Sequence, residues 1–222
     1  TVDVHDSAPT APNNSVFPVA EHGLENGPVV VMRNFNGGDF GGDGEGQYEY
    51  NGTFMLLGNS STATDELTSG GEKVEVTFNG NVATGATAGG TVVFTMELDP
   101  TTGKHTFTLF QPLDHGKPDA SGAQDVVWAK FGVDIVDADG DRDSAMIQVD
   151  IRDDAPEAGA NSVFPVSEAG LVNGPVEVTR DLDGDFPADG EGQFEYNGTF
   201  MLLGNSSTAT DELTSGGEKV EV

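Results

Sequence analysis

Val127-Trp128-Ala129-Lys130-Phe131-Gly132-Val133-Asp134-Ile135-Val136 sends Val127, Ala129, Phe131, Val133 and Ile135 to one side and Trp128, Lys130, Gly132 and Asp134 to the other. Alternation with a period of two is the mark of a strand with one buried face. It resumes after Asp137-Ala138-Asp139-Gly140-Asp141-Arg142-Asp143, with Ala145, Ile147, Val149 and Ile151 on one face and Gln148 and Asp150 on the other. Two such runs joined by a Gly-containing turn predict an antiparallel pair. Upstream, Val92, Phe94, Met96 and Leu98 alternate in the same way, and Asp99-Pro100-Thr101-Thr102-Gly103 leads to Phe107 and Leu109. That is a hairpin with turn chemistry between its strands.

Shorter strand candidates are Val16–Val19, Val29–Arg33, Gln47–Tyr50, Thr53–Leu57 and Lys73–Phe78, while Thr62–Leu67 hints at a helical turn. Many short strands separated by Gly, Asn and Asp clusters predict an all-β antiparallel sandwich. Gly37–Gly46 and Gly58–Gly71 read as long loops added to a core of ordinary size, the places where surface variation lives.

The chain repeats itself. Asn14-Ser15-Val16-Phe17-Pro18-Val19 returns as Asn161-Ser162-Val163-Phe164-Pro165-Val166, and Asp43–Val76 returns as Asp189–Val222 with a single difference, Tyr48 against Phe194. A period near 147 residues suits one domain per repeat rather than a solenoid unit. Residues 1–9 read as the last strand and linker of a preceding repeat, 10–156 as a complete repeat with its C-terminal linker, and 157–222 as the first part of the next.

Nine Lys and Arg stand against 38 Asp and Glu, for a formal charge of −29. Such a surface cannot replace the counterions of nucleic acid or of an anionic membrane, so cations are its natural partners. Cysteine is absent, which removes disulfides, thiolate metal sites and thiol nucleophiles. No apolar run is long enough to span a bilayer, and Thr1-Val2-Asp3-Val4 lacks the basic start and apolar segment of a signal peptide. The chain reads as a piece of something longer.

Asp137, Asp139, Asp141 and Asp143 alternate around Gly140. Carboxylates this close repel one another unless a multivalent cation sits among them, and calcium is the ion that oxygen ligands favour. A solvated turn also favours Asp and Gly, but four alternating aspartates exceed what a turn requires. It is not an EF-hand: counted from Asp137, position 6 is Arg142 and position 12 is Gln148. If the flanking strands are the last two of a sandwich with an odd number of strands, their loop lies where the chain comes in. It then faces the linker His5-Asp6-Ser7-Ala8-Pro9. Asp6 and Glu21 are expected to join the loop in a shell that bridges two domains. The outgoing Asp153 and Asp154, and Glu168 as the repeat of Glu21, belong to the next joint. Ala8-Pro9 and Ala155-Pro156 restrict the hinge. Asp181, Asp183 and Asp185 form a second Asp-x-Asp-Gly-Asp group, for which a metal site and a plain β-turn both stand. Its counterpart in the first copy is Asn34-Phe35-Asn36-Gly37-Gly38-Asp39.

Phe107–His115 (Phe-Thr-Leu-Phe-Gln-Pro-Leu-Asp-His), Phe131–Asp141 and Val149–Pro156 together resemble the extender repeats of large bacterial adhesins of the repeats-in-toxin (RTX) type, secreted by the type I pathway. The resemblance implies an Ig-like or cadherin-like sandwich, calcium at the domain junctions, export without an N-terminal signal and a place on a Gram-negative cell surface. There the repeats hold a distal adhesive region away from the cell. The expected function is therefore a calcium-stiffened spacer whose partners are neighbouring repeats and calcium, with no nucleic acid and no direct membrane insertion. The alternative is a carbohydrate- or protein-binding module built on Trp128 and the two long loops.

Catalysis is not expected. The histidines, His5, His22, His105 and His115, form no His-Glu-x-x-His pattern. Asp114-His115 reads as a polar turn after a strand, without a nucleophile beside it. The Gly-rich stretches lack a Walker lysine, so they do not read as phosphate loops.

Overall fold

The structure is a computed structural model. It describes residues 7–42, 44, 46–57, 66–115, 126–153, 157–158, 162–182, 184–185, 195, 198, 214–215 and 218–219. The chain divides into two compact units, Thr1–Gly190 and Glu191–Val222. Residues 10–153 hold an all-β sandwich of two sheets.

The first sheet is built around the stretch that shows the clearest alternation. Its strands are β1 (Ser15–Ala20), β3 (Gln47–Leu57), β9 (Val126–Val136) and β10 (Arg142–Arg152), in the order β1-β10-β9-β3. The second sheet holds β2 (Val29–Asn34), β4 (Thr68–Ser69), β5 (Glu72–Asn79), β6 (Val82–Thr87), β7 (Val92–Leu98) and β8 (Lys104–Leu109), in the order β2-β8-β7-β6-β5-β4. The alternating residues face inward as expected. Phe17, Phe94, Met96, Phe107, Leu109, Phe131, Ile135, Ile147 and Ile151 are all sealed in the core between the sheets. Trp128 lies half-buried on the outer face, opposite that core set.

β1 runs parallel to β10, from Ser15 opposite Ile147 to Ala20 opposite Arg152. Because β1 is an edge strand, Pro18 sits there without leaving a gap in the ladder's interior. β3 combines two strands that read separately in the sequence. It carries an irregularity between Tyr50 and Phe54, where Asn51 Nδ2 donates to Asp134 Oδ1 at 2.9 Å and Gly52 takes a positive φ of 82°. The Asn51 side chain lies over Gly132, where a Cβ would come within 2.3 Å of its Oδ1. Gly132 therefore admits the bulge.

β6 was not foreseen. Its inward positions are Ala83, Gly85 and Thr87, and the Phe94 ring fills the space a side chain at Gly85 would take. The helical turn expected at Thr62–Leu67 falls mostly outside the described residues, and Glu66 and Leu67 are not helical. Instead, 3-10 turns form at Glu21–Asn26 and Glu168–Asn173.

His105 is fully buried at the base of β8. Its Nδ1 lies 3.0 Å from the Gly103 carbonyl, and Ser15 Oγ lies 2.8 Å from its Nε2. The pairing assigns the proton to Nδ1, with Ser15 donating to Nε2. Burial pushes the His105 imidazole below its ordinary range. Among the described residues no helix is long and apolar enough to cross a membrane.

Candidate metal centre

The parallel pairing of β1 with β10 decides what meets what. Both strands start at the same end of the sandwich, so the Asp137–Asp143 loop lies beside the incoming segment. Ala11 N donates to Asp143 Oδ2 at 2.8 Å, and Met146 N donates to Asn14 Oδ1 at 2.9 Å. Residues 36–42, which include the first part of the Gly37–Gly46 loop expected as a variable surface, close over the same segment. Thr10 and Asp39 exchange backbone hydrogen bonds of 2.8 and 3.0 Å, Asn13 N donates to the Asn36 carbonyl at 3.1 Å, and Gly42 N donates to Ser7 Oγ at 2.5 Å. A Cβ on Gly41, where φ is 80°, would lie 2.6 Å from the Ser7 carbonyl oxygen, so the approach requires glycine. Asp6 lies outside the described residues.

Within the acidic loop, Asp137 builds the turn. Its Oδ1 accepts from Gly140 N at 3.0 Å and Asp141 N at 2.8 Å, and its own N–H donates to the Asp141 carbonyl at 3.1 Å. Gly140 supplies the positive φ of 103°. This is the side-chain-to-backbone hydrogen bonding that Asp brings to turns. Asp137 does more than a turn needs, however. The residue is 5% exposed, and its Oδ2 is sealed from solvent with no hydrogen-bond partner among the described residues. Burial disfavours its charge, but contact with Asp139 and amides from Asp141, Gly140 and Asp139 outweigh that and hold its carboxyl below the usual range. Asp137, Asp139 and Asp141 each place an oxygen within 4.8 Å of the others, in a cluster that is closed on the Asp137 side and open at Asp139 and Asp141.

Asp143 stands outside that triad. Its two oxygens accept from the Ala11 and Ser144 amides, which keep its carboxyl low, so it holds the incoming segment. Arg142 does not neutralise the triad either, because its guanidinium pairs with Glu49 and, at 3.4 Å, with Asp134.

Glu21 corrects the expected shell. It follows β1, whose last residue pairs with Arg152, so it sits at the outgoing end of the sandwich instead of beside the incoming linker. The length of β10 separates the two ends by roughly 35 Å. At that outgoing end Glu21 meets Asp153 and His115, with ligand atoms again within 4.8 Å of one another. Asp154 lies outside the described residues. His115 was missed because nothing in its spacing ties it to Glu21, 94 positions upstream. Asp114, read as part of a polar turn, does hold one: Gly70 N and Gly71 N donate to its carboxylate at 2.9 and 2.8 Å, and its own N–H donates to the Thr68 carbonyl at 2.8 Å.

The remaining expected ligands do not come together. Glu168 is exposed on the second 3-10 turn, and Asp181 is exposed. Asp183 lies outside the described residues, and Asp185 pairs through its backbone with Glu157 in the short ladder of β11 (Glu157–Ala158) and β12 (Gly184–Asp185). Asp39 of the first copy makes the corresponding bridge to Thr10.

The model of a family described as a domain of unknown function, DUF5801, matches residues 4–152, more than half of the chain. No curated protein and no solved structure matches it.

Proposed function

We propose that this chain, which belongs to the DUF5801 domain family, is part of a row of spacer domains from a bacterial RTX-type adhesin, joined end to end and stiffened by calcium at each joint. One observation carries the reading: the Asp137–Asp139–Asp141 triad opens at the end where the incoming segment is stitched to the sandwich through Asp143, Asp39 and Asn36. The triad offers oxygen donors alone, the set that calcium selects. Linker carboxylates such as Asp6, and Asp154 for the following repeat, stand in sequence where they can complete a six-to-eight-oxygen shell between domains. An ion held only by the ordered joint stabilises it by mass action, by about 2.7 kcal/mol at a hundredfold excess over its dissociation constant.

In this reading the domains carry length rather than recognition. They stand outside a Gram-negative cell after type I export and project a distal adhesive region. The absence of disulfides leaves metal as the available staple for a row of small domains. Small-angle scattering of a protein with two complete repeats tests it. The maximum dimension should be larger and sharply defined with calcium, and shorter and blurred after chelation. A profile indifferent to calcium would remove the stiffening role.

The second reading, a glycan- or protein-binding module, is favoured by the half-exposed Trp128, flanked in the sheet by Leu57 and Asp150. Stacking on a sugar ring is within the reach of such an aromatic. Reproducible binding to a glycan array, lost in Trp128→Ala, would replace the spacer role by this one.

A further inference from the structure

Three segments far apart in sequence converge at the outgoing end of the sandwich: the residue after β1, the residue after β10, and the turn that follows β8. They bring together Glu21, fully buried, Asp153, half-buried, and His115, whose side chain is 2% exposed. Glu21 Oε1 accepts from Leu113 N at 2.9 Å and lies 3.3 Å from His115 Nε2. Glu21 Oε2 is sealed from solvent and has no hydrogen-bond partner among the described residues. A carboxylate oxygen in that state is costly unless a cation meets it. Burial pushes the Glu21 carboxyl up, against the pull of His115 and the Leu113 amide, and the nearby Asp153 pushes it further up.

The donor set differs in kind from that of the acidic loop. One imidazole and two carboxylates suit a borderline divalent transition ion, whereas calcium and magnesium favour shells made of oxygen alone. Metal–ligand bonds of about 2.0–2.1 Å at tetrahedral angles place neighbouring donor atoms about 3.3–3.4 Å apart, and the Glu21–His115 separation of 3.3 Å has that length. The surroundings also hold the donors in place. Leu113 N orients the Glu21 carboxylate, and Ser69 Oγ donates to the Pro112 carbonyl at 2.5 Å. With the Asp114 contacts to Gly70 and Gly71, these bonds tie the 112–115 segment to the β4–β5 turn. Such outer contacts are what fix metal ligands in position.

We propose that Glu21, His115 and Asp153 form a binding site for a zinc-class divalent ion, separate in place and in chemistry from the oxygen-only triad at the incoming end. The three residues present one nitrogen and two carboxylate groups, and they leave room in the coordination sphere for water or for a donor from outside the repeat. The inference stands without the spacer reading, because every ligand comes from a single repeat.

The test uses the whole 222-residue chain, held in excess calcium and titrated with Co²⁺ and Zn²⁺. One Co²⁺ should bind with the visible absorption of a low-coordinate nitrogen and oxygen site, and Zn²⁺ should displace it. His115→Gln should abolish the band and weaken Zn²⁺ at least about tenfold, while His22→Gln should leave both unchanged. Displacement of Co²⁺ by calcium, an unaltered titration in His115→Gln, or no binding at all overturns the proposal. Should His115→Gln fail to fold, the ring nitrogens of the unsubstituted chain decide by NMR. Zn²⁺ should shift the His115 nitrogen resonances selectively, and unchanged resonances overturn the site.

Discussion

Residues 15–19 and 162–166 are the same sequence, yet they end in different states. In the complete repeat Phe17 and Val19 are 1% and 2% exposed, and in the partial repeat Phe164 and Val166 are 43% and 58% exposed. β1 forms in the first copy, and its counterpart forms no strand in the second. Other pieces reproduce faithfully. The 3-10 turn closes in both copies on a positive-φ glycine, with Gly27 N donating to the Leu24 carbonyl and Gly174 N to that of Leu171. The Thr10–Asp39 bridge recurs as Glu157–Asp185, and the β4–β5 turn recurs between β13 (Thr214–Ser215) and β14 (Glu218–Lys219). The 3-10 turn and the β13–β14 ladder are written locally, because their partners lie a few residues away or are set by glycine geometry, whereas the Glu157–Asp185 bridge closes over 28 positions. Strands are written by their neighbours. The second copy has no counterparts of β9 and β10 within these 222 residues, and among the described residues its β1 segment pairs with no strand and stays exposed.

The sharpest way to break the comparison is to supply what the second copy lacks. A chain extended after Val222 by residues 77–152 of the first copy should fold the second sandwich. The amides of Val163 and Val166 should then gain hydrogen-exchange protection on the order of a thousandfold or more, as a globally protected core does. Failure to gain protection would show that the two copies differ in more than missing partners. The converse experiment weakens the first copy at its centre. Phe131 packs against Tyr50, Phe54 and Phe94, and Phe131→Ala should cost about 3–5 kcal/mol in urea denaturation. That loss should leave the exposed residues 162–182 spectroscopically unchanged.

A smaller effect is expected where the loop closes on the incoming segment. Gly41→Ala meets both the positive φ and the Ser7 carbonyl and should cost about 1–2 kcal/mol, with faster exchange confined to residues 7–14. Uniform loss across the sandwich would contradict that localisation. The mildest handle is acid. His105 is neutral and buried in the fold, with its imidazole held below the ordinary 6.5, while the unfolded chain protonates there. The unfolded state therefore binds more protons as pH falls below about 6.5, and this contribution to stability is lost through that window and further down. Denaturation midpoints should decline there in the parent and less steeply in His105→Gln. Equal slopes would mean that His105 is not the responsible group.

The sandwich was legible wherever large apolar residues alternate, as in β7, β9 and β10. β6 was not, because its inward positions, Ala83, Gly85 and Thr87, are small or polar, with the Phe94 ring of the neighbouring strand filling the space beside Gly85. β3 read as two strands because Asn51-Gly52 looks like a turn, and only Gly132 across the ladder reveals that it is a bulge. The acidic loop was legible from its alternating aspartates, but strand parity does not explain its meeting with the incoming chain. Among the described residues the two sheets hold ten strands, not an odd number, and the meeting follows from the parallel pairing of β1 with β10. The outgoing cluster was not legible, since its members lie on three unconnected segments. Glu21 was placed at the wrong end because no sequence pattern says that β1 runs alongside β10 in parallel.

That parallel pairing has a mechanical consequence. Tension on the chain pulls β1 from its first residue and β10 from its last, in opposite directions along adjacent strands. The pairs from Ser15–Ile147 to Ala20–Arg152 then bear the load together in shear, instead of opening one after another like a zip. A load applied along the chain then meets six residue pairs that must fail together, so this ladder is arranged to yield last.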